Sequence, residues 1–249
     1  MTARQYDFVV IGGGSAGYAA ARTASGLGLR VALVEGAERM GGLCILRGCM
    51  PSKALLASAG AARTIRRAAE FGLRGGRLEV MGDEVIRRKD RLIAEFADYR
   101  QQQLGDGRFD LIRGYGGLRD SQALQVDLLD GGSQSIGFRC ALLATGSEVA
   151  RLPIPGLEQA GYLVSDDVLE LESLPHSVAV LGGGAIALEM AHYLAAMGVE
   201  VSVIQRSGHV LSDCDRDVGE AVADAMRAQG VNLFTGTRLL AAGRGAEGK

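Results

Sequence analysis

Residues 7–17 read Asp7-Phe8-Val9-Val10-Ile11-Gly12-Gly13-Gly14-Ser15-Ala16-Gly17. The short apolar run before Gly12 is what a strand buried on both faces of a parallel sheet requires. The glycines permit a tight turn, and the alanine-rich stretch 16–27 reads as a helix closed by Gly28. Val31-Ala32-Leu33-Val34 is the next strand, with Glu35 at its carboxyl end, 18 residues past Gly17. Strand, G-x-G-x-x-G, helix, strand and acid together make the pattern of a dinucleotide-binding βαβ unit. Gly12, Gly14 and Gly17 let a pyrophosphate approach the helix N-terminus at Ser15, and the Glu35 carboxylate accepts from ribose hydroxyls.

The same pattern begins again at Ser177-Val178-Ala179-Val180-Leu181, followed by Gly182-Gly183-Gly184-Ala185-Ile186-Ala187. A constant offset of 170 maps Gly12 to Gly182, Gly28 to Gly198, Val31 to Val201 and Glu35 to Gln205. Such a repeat is expected of a chain that binds two dinucleotides. Gly182, Gly184 and Ile186 line the second phosphate loop, and Ala187 replaces its last glycine. An acid at position 205 would hold a ribose 2′-hydroxyl and repel a 2′-phosphate. With Gln205 there instead, and Arg206 next to it, the pattern points to NADPH, with NADH the alternative. The expected class is α/β, with two consecutive Rossmann-like units. Each is expected to hold a parallel sheet, helices and a small antiparallel meander, the second unit being incomplete.

Between the repeats lies Gly41-Gly42-Leu43-Cys44-Ile45-Leu46-Arg47-Gly48-Cys49-Met50-Pro51-Ser52-Lys53. Two cysteines this close are compatible with small buried hydrophobes, half of a zinc site, or a redox pair. Zinc needs four ligands, and neither a second Cys pair nor a His pair follows at workable spacing. On a regular helix five steps along the chain advance about 7.5 Å, too far for a good disulfide. Gly48 gives the backbone room to distort, and Pro51 suits the first turn of the helix that follows.

This stretch resembles the redox-active disulfide of the FAD-dependent pyridine nucleotide–disulfide oxidoreductases, which include dihydrolipoyl, glutathione and mercuric reductases. Their signature is Gly-Gly-Thr-Cys, four residues, then Gly-Cys-x-Pro-Ser-Lys, and Leu43 stands here at the Thr position. The resemblance implies FAD in the first unit and NADPH or NADH in the second. It implies hydride transfer to the flavin, then reduction of a Cys44–Cys49 disulfide, with Cys49 nearest the flavin and Cys44 the interchange thiol. Lys53 would sit by the flavin and pair with Glu189. Gly42 would belong to the flavin site. Gly116 would lie against the adenine, and Thr145-Gly146-Ser147, in the Ala-Thr-Gly element, would form a second flavin contact. Pro51-Ser52-Lys53-Ala54-Leu55-Leu56 favours a dihydrolipoyl dehydrogenase type. Gln205-Arg206-Ser207 favours a mercuric reductase or another NADPH disulfide reductase.

Family members run to about twice this length and form homodimers through a carboxyl-terminal domain that supplies an acid/base histidine. His176, His192 and His209 fall outside that motif, so the chain reads as an amino-terminal piece with little turnover of its own. A catalytically silent flavin-binding fragment is the rival reading. The expected partner is a small-molecule or protein-bound disulfide.

The expected division is 1–149 for the flavin domain with its disulfide and helical insertion, 150–165 for a linker, and 166–249 for the NAD(P) domain. A helix is expected over 53–70, stopped by Gly72. Another is expected over 83–104, with Leu92, Phe96 and Tyr99 on one face and Arg87-Arg88-Lys89 solvated. Strand 109–113 leads into Gly114-Tyr115-Gly116, and 123–129 pairs with 136–144 as a hairpin around Asp130-Gly131-Gly132. Helix 215–229 and strand 231–234 follow the second repeat. Cys140 reads as core, and Cys214 as exposed with no role. A net charge of -2 gives no basic signature of nucleic-acid binding. Glycines and charges interrupt every apolar run before membrane-spanning length. The start of the chain lacks a leader pattern, and a cytoplasmic location is expected.

Overall fold

The computed structural model describes residues 4–74 and 76–245. Its contacts divide the chain into two compact units. The first holds the described residues up to Met50 together with Arg91–Glu148. The second holds Pro51–Asp90 and the described residues from Val149 onward.

In the first unit, strands β1 (Arg4–Ile11), β2 (Val31–Glu35) and β3 (Asp110–Leu118) run parallel in that order, and helix α1 (Ser15–Gly26) connects the first two. The helix α2 (Gly42–Leu46) follows β2. Strand β4 (Ala123–Leu128) pairs antiparallel with β3 and with β5 (Ser133–Leu143). β5 then runs parallel to β1, so the five strands close on themselves. Alternation along the strands feeds two cores. Val9, Ile11, Ala32 and Val34 point into the closed ring with Ile112, Leu124, Val126, Ile136 and Phe138. Val10, Val31 and Leu33 face outward onto Tyr18, Ala21 and Ala24 of α1.

In the second unit, β6 (Ser177–Leu181), β7 (Glu200–Ile204) and β8 (Asn232–Phe234) form a parallel sheet. Helix α7 (Ala185–Met197) connects the first two strands, and α8 (Arg216–Arg227) precedes the third. Its core takes Leu188, Ala191, Leu194, Val201 and Val203, together with Leu55, Ala59 and Ala62 of helix α3 (Cys49–Arg66) and Ile86 of helix α4 (Gly82–Leu104). That packing is why residues 51–90 cluster with the second unit rather than with the rest of 1–149. The expected linker contains a short helix, α5 (Leu157–Ala160), with both end residues buried, and ends at a second, α6 (Ser165–Val168). Among the described residues, the antiparallel meander belongs to the first unit alone; the second sheet is wholly parallel.

Several expectations are corrected. Lys89 is not solvated: it is 2% exposed, with its ammonium 2.7 Å from Asp90 Oδ1 and from Glu170 Oε1. The face of α4 that is buried is Ile86, Ile93, Ala97 and Leu104, while Phe96 and Tyr99 are exposed. Gly114, Tyr115 and Gly116 lie inside β3, which is longer than expected. Cys140 is exposed rather than core. β4 pairs with β5 only up to Gly137, so beyond Phe138 the strand has β1 as its described neighbour.

Candidate functional site

The two repeats fold with the same register. Phe8 pairs with Val31 and Ile11 with Val34. Val178 pairs with Val201 and Leu181 with Ile204, at the same offset of 170. Each glycine loop leaves its strand by donating the Gly12 or Gly182 N–H to the last residues of the neighbouring strand, Val34 O and Ile204 O. The residues at the N-caps, Gly14 and Gly184, supply no side-chain cap, and the first turns of α1 and α7 carry no acid. Both helices thus present N–H groups and a positive dipole end to any anion at their start.

In the first unit Gly17, Gly42 and Thr145, of the expected flavin residues, pack at this loop, whereas Gly116, Gly146 and Ser147 are not brought onto it. A Cβ at Gly17 would lie 1.8 Å from Gly12 O, so α1 sits hard against the turn. A Cβ at Gly12 would lie 2.3 Å from Ala144 O and 3.3 Å from the Thr145 Cα, which brings the Ala-Thr-Gly segment alongside. Gly42 has φ +71°, and a Cβ there would lie 2.3 Å from Gly14 Cα. The cysteine-bearing helix α2 therefore begins on the glycine loop itself. Cys44 is half-buried in α2, and Cys49, exposed, opens α3. Ser15 starts α1, while Gly146 and Ser147 follow Thr145 on the surface. Gly116 lies in β3 against Val34 and Leu124 side chains.

Glu35 is 8% exposed. Its Oε2 accepts from Gly13 N and its Oε1 from Ala37 N, each at 2.7 Å. A carboxylate offers about four lone-pair sites, so two remain for a ligand. Arg113, opposite Glu35 in register, donates to Ala37 O and to Glu38 O and steadies the segment after the acid. Sequence reading missed Gly13, Ala37 and Arg113. A residue in register with the acid at a strand end was the available signal.

In the second unit Gln205 stands where Glu35 does and makes the same contact, its Oε1 accepting from Gly183 N at 3.2 Å. It is 7% exposed. Arg206 follows it on the surface. Ile186, in the first turn of α7, is 65% exposed. One turn further along α7, Glu189 pairs with Lys53 Nζ of α3; these side chains are 32% and 58% exposed. Among the described residues no cluster of His, Cys, Asp and Glu could hold a metal ion.

An uncapped, acid-free helix start, a loop with no room for side chains and a carboxylate with spare lone pairs fit a flavin dinucleotide in the first unit. The second unit shares the uncapped, acid-free helix start, with an amide in place of the acid, but its loop has open space among the described residues at Gly182 and Gly184.

Comparisons with known proteins agree in direction. The family described as Pyridine nucleotide-disulphide oxidoreductase matches residues 6–247. Dihydrolipoyl dehydrogenase of Bacillus subtilis is 34% identical over 248 residues, 96% of this chain and 52% of that protein. Mercuric reductase of Bacillus cereus is 32% identical over 232 residues, 93% of this chain and 36% of that one. Among solved structures, the Cu(II) complex of the HOCl-induced flavoprotein disulfide reductase RclA of Escherichia coli superposes with a TM-score of 0.81 at 28% identity. That match covers 98% of this chain and 52% of RclA. The chain thus spans about half the length of the Bacillus subtilis enzyme and of RclA.

Proposed function

The chain belongs to the pyridine nucleotide-disulphide oxidoreductase family, and from that premise we propose that it carries the electron-transfer half of an FAD-dependent NAD(P)H:disulfide oxidoreductase. The two repeats are read as Rossmann-like units, the first for FAD and the second for NAD(P)H. The observation that carries the reading is the seat of Gly42 on Gly14, which roots the Cys44 helix on the dinucleotide loop.

FAD, when bound, supplies a two-electron relay between the nicotinamide and the cysteine pair. Gly12, Gly14, Ser15 and Gly17 would hold its pyrophosphate and Glu35 its ribose. Gly42, Gly116, Thr145, Gly146 and Ser147 would border it. Lys53, held by Glu189, is assigned to the flavin's reactive side. On the protein, two electrons and a proton open a Cys44–Cys49 disulfide to a thiol and a thiolate. Cys44, as thiolate, then attacks a substrate disulfide and releases one substrate thiolate. Cys49 displaces the second by attacking Cys44, which restores the starting disulfide. The protons are returned by solvent or by groups outside this chain.

Dihydrolipoyl dehydrogenase-type chemistry is favoured by Pro51-Ser52-Lys53 and by the similarity to the Bacillus subtilis enzyme. Mercuric reductase-type or other NADPH-dependent chemistry is the second reading, favoured by Gln205-Arg206-Ser207. A homodimeric, cytoplasmic parent protein is part of the proposal, and so is low turnover by these 249 residues alone.

The test is a visible spectrum of the chain with FAD, before and after anaerobic dithiol. A long-wavelength thiolate-to-flavin band that disappears in Cys49→Ser is the expected result. Retained flavin with no such band sinks the redox assignment.

A further inference from the structure

We propose that Leu43 is a positioning residue for the Cys44–Cys49 pair, its side chain holding closed the turn between the two cysteines. The role rests on the reading of these cysteines as a redox pair. It falls at a position where this chain departs from the family signature, which has threonine there.

Helix α2 is five residues long, and Arg47 and Gly48 alone separate it from α3, which Cys49 opens. Arg47 N closes α2 by donating to Leu43 O at 2.9 Å, and Arg47 itself leaves helical geometry with φ -142° and ψ 17°. The chain then folds back on itself. A Cβ built on Gly48 would lie 3.0 Å from Leu43 O, 3.1 Å from Leu43 Cδ2 and 3.4 Å from Cys44 Cα. The residue before Cys49 is therefore seated on the residue that carries the other thiol. Gly48 lies outside the left-handed region that Gly41 and Gly42 occupy, so this position demands room rather than an unusual φ.

Backbone atoms of residues 43 and 44 border that room, and so does a δ-methyl of Leu43. The other apolar side chains of α2 are engaged elsewhere. Ile45 is buried, and Leu46 packs over Gly41, whose Cβ position lies 3.2 Å from Leu46 Cγ. Leu43 is 40% exposed, so its tip meets Gly48 while much of the side chain stays uncovered. A threonine ends at its γ atoms and has no δ-methyl to set against the turn.

This contact acts on the thiol–disulfide equilibrium. A disulfide closes the turn covalently, whereas the dithiol form can open it. Whatever holds the turn shut without the S–S bond raises the effective concentration of one thiol at the other and favours the disulfide. Deleting the contact leaves the disulfide form closed and lets the dithiol form open, so the pair becomes easier to reduce. Loss of one buried methyl-sized group corresponds to about fourfold in an equilibrium constant, which is about 18 mV for this two-electron couple.

The experiment equilibrates the 249-residue chain, with the exposed Cys140 and Cys214 replaced by serine, against graded ratios of reduced and oxidised glutathione at neutral pH. Thiols are trapped with a maleimide and counted by mass. One S–S bond of glutathione disulfide breaks for each one formed between Cys44 Sγ and Cys49 Sγ, and the two thiol protons leave on two molecules of reduced glutathione. Leu43→Ala and Leu43→Thr are expected to lower the equilibrium constant for disulfide formation about fourfold. Leu43→Met, which keeps an apolar atom at the δ position, is expected to stay within about twofold of the unaltered chain.

Urea midpoints of the reduced proteins separate this role from a general loosening of the fold. Lower midpoints in Leu43→Ala and Leu43→Thr with an unmoved redox equilibrium overturn the positioning role while the redox pair stands. A Leu43→Met equilibrium as low as that of Leu43→Ala overturns it too, because apolar reach is then not the cause. If the unaltered chain forms no Cys44–Cys49 disulfide at any glutathione ratio, the redox reading itself fails, and the role of Leu43 falls with it.

Discussion

Gly17→Ala in the first repeat, set beside Ala187→Gly at the matching place in the second, tests whether the two glycine loops are built to different tolerances. A Cβ at Gly17 falls 1.8 Å from Gly12 O and 3.1 Å from Val10 Cγ1. The first of these is backbone, so no side-chain rotation relieves it. Helix α1 has to retreat by at least about 1.2 Å, the gap between 1.8 Å and the 3.0 Å below which real Cβ contacts essentially never fall. Overpacking of this kind costs about 1–3 kcal/mol, with a backbone clash at the upper end. Replacing Gly by Ala in a helix returns about 0.5–1 kcal/mol. The net expectation is destabilisation by about 2–2.5 kcal/mol, the upper end of the first term less the second. Ala187→Gly relieves no clash and loses only about 0.5–1 kcal/mol of helical preference. The assay is a urea midpoint by far-ultraviolet circular dichroism, together with the flavin retained per chain after gel filtration with FAD. Gly17→Ala is expected to lower the midpoint and to lose most of its flavin, whereas Ala187→Gly keeps the flavin. If Gly17→Ala holds its flavin at an unchanged midpoint, the close seat of α1 on the loop is refuted.

Tyr193 is fully buried in the second core, its hydroxyl has no hydrogen-bond partner among the described residues, and burial raises its pKa. Tyr193→Phe is expected to be neutral or stabilising by about 1 kcal/mol, read as an equal or higher urea midpoint. Because the folded chain keeps this hydroxyl protonated, its contribution is lost as pH rises past about 10. The variant should therefore lose less stability on the alkaline side, and a clear loss at neutral pH would show a hidden partner. For Lys89, replacement by Met keeps the buried stem and leaves two carboxylates that are more than half exposed, so stability should stay within about 1 kcal/mol. Asp90→Asn with Glu170→Gln instead strands a buried ammonium and should cost about 3 kcal/mol in the same denaturation assay. The reverse order of effects would mean that the charge is hydrated in solution.

The strand–loop–helix–strand halves were legible because period, glycine position and the 170-residue repeat all point one way, and the register they imply is the one observed. The same agreement brought Gly12, Gly14, Gly17, Glu35, Gly42 and Thr145 to one place. Where local pattern stands alone it misleads. Leu92, Phe96 and Tyr99 have helical spacing, but a stripe does not say which face a partner covers, and α4 buries Ile86, Ile93, Ala97 and Leu104 instead. The charge run 87–89 looks solvated until Glu170, 81 residues further on, is seen to meet Lys89. Cys140 sits in an apolar run that suggests two-sided burial, yet that part of β5 has β1 alone beside it among the described strands. In each case the missing information is long-range, and composition carries none of it.

The differences between the repeats bear on function more than their likeness does. At the first loop, the Cβ position of Gly12 is filled by the Ala144 carbonyl, and that of Gly14 is approached to 3.6 Å by Gly42. At the second, a Cβ on Gly182 or Gly184 would meet nothing within 4 Å among the described residues. The first loop is thus walled by two other segments of its own unit, one of them carrying Cys44, while the second is open at both matching glycines. A dinucleotide at the first loop would have those two segments as neighbours. One in the second meets a loop held by Gln205 and Leu211. Under the proposed function this asymmetry suits a resident flavin in the first unit and a coenzyme that binds and leaves at every turnover in the second. Near-identical backbone motifs can serve both tasks because the chain around each loop, rather than the loop itself, sets how tightly its ligand is enclosed.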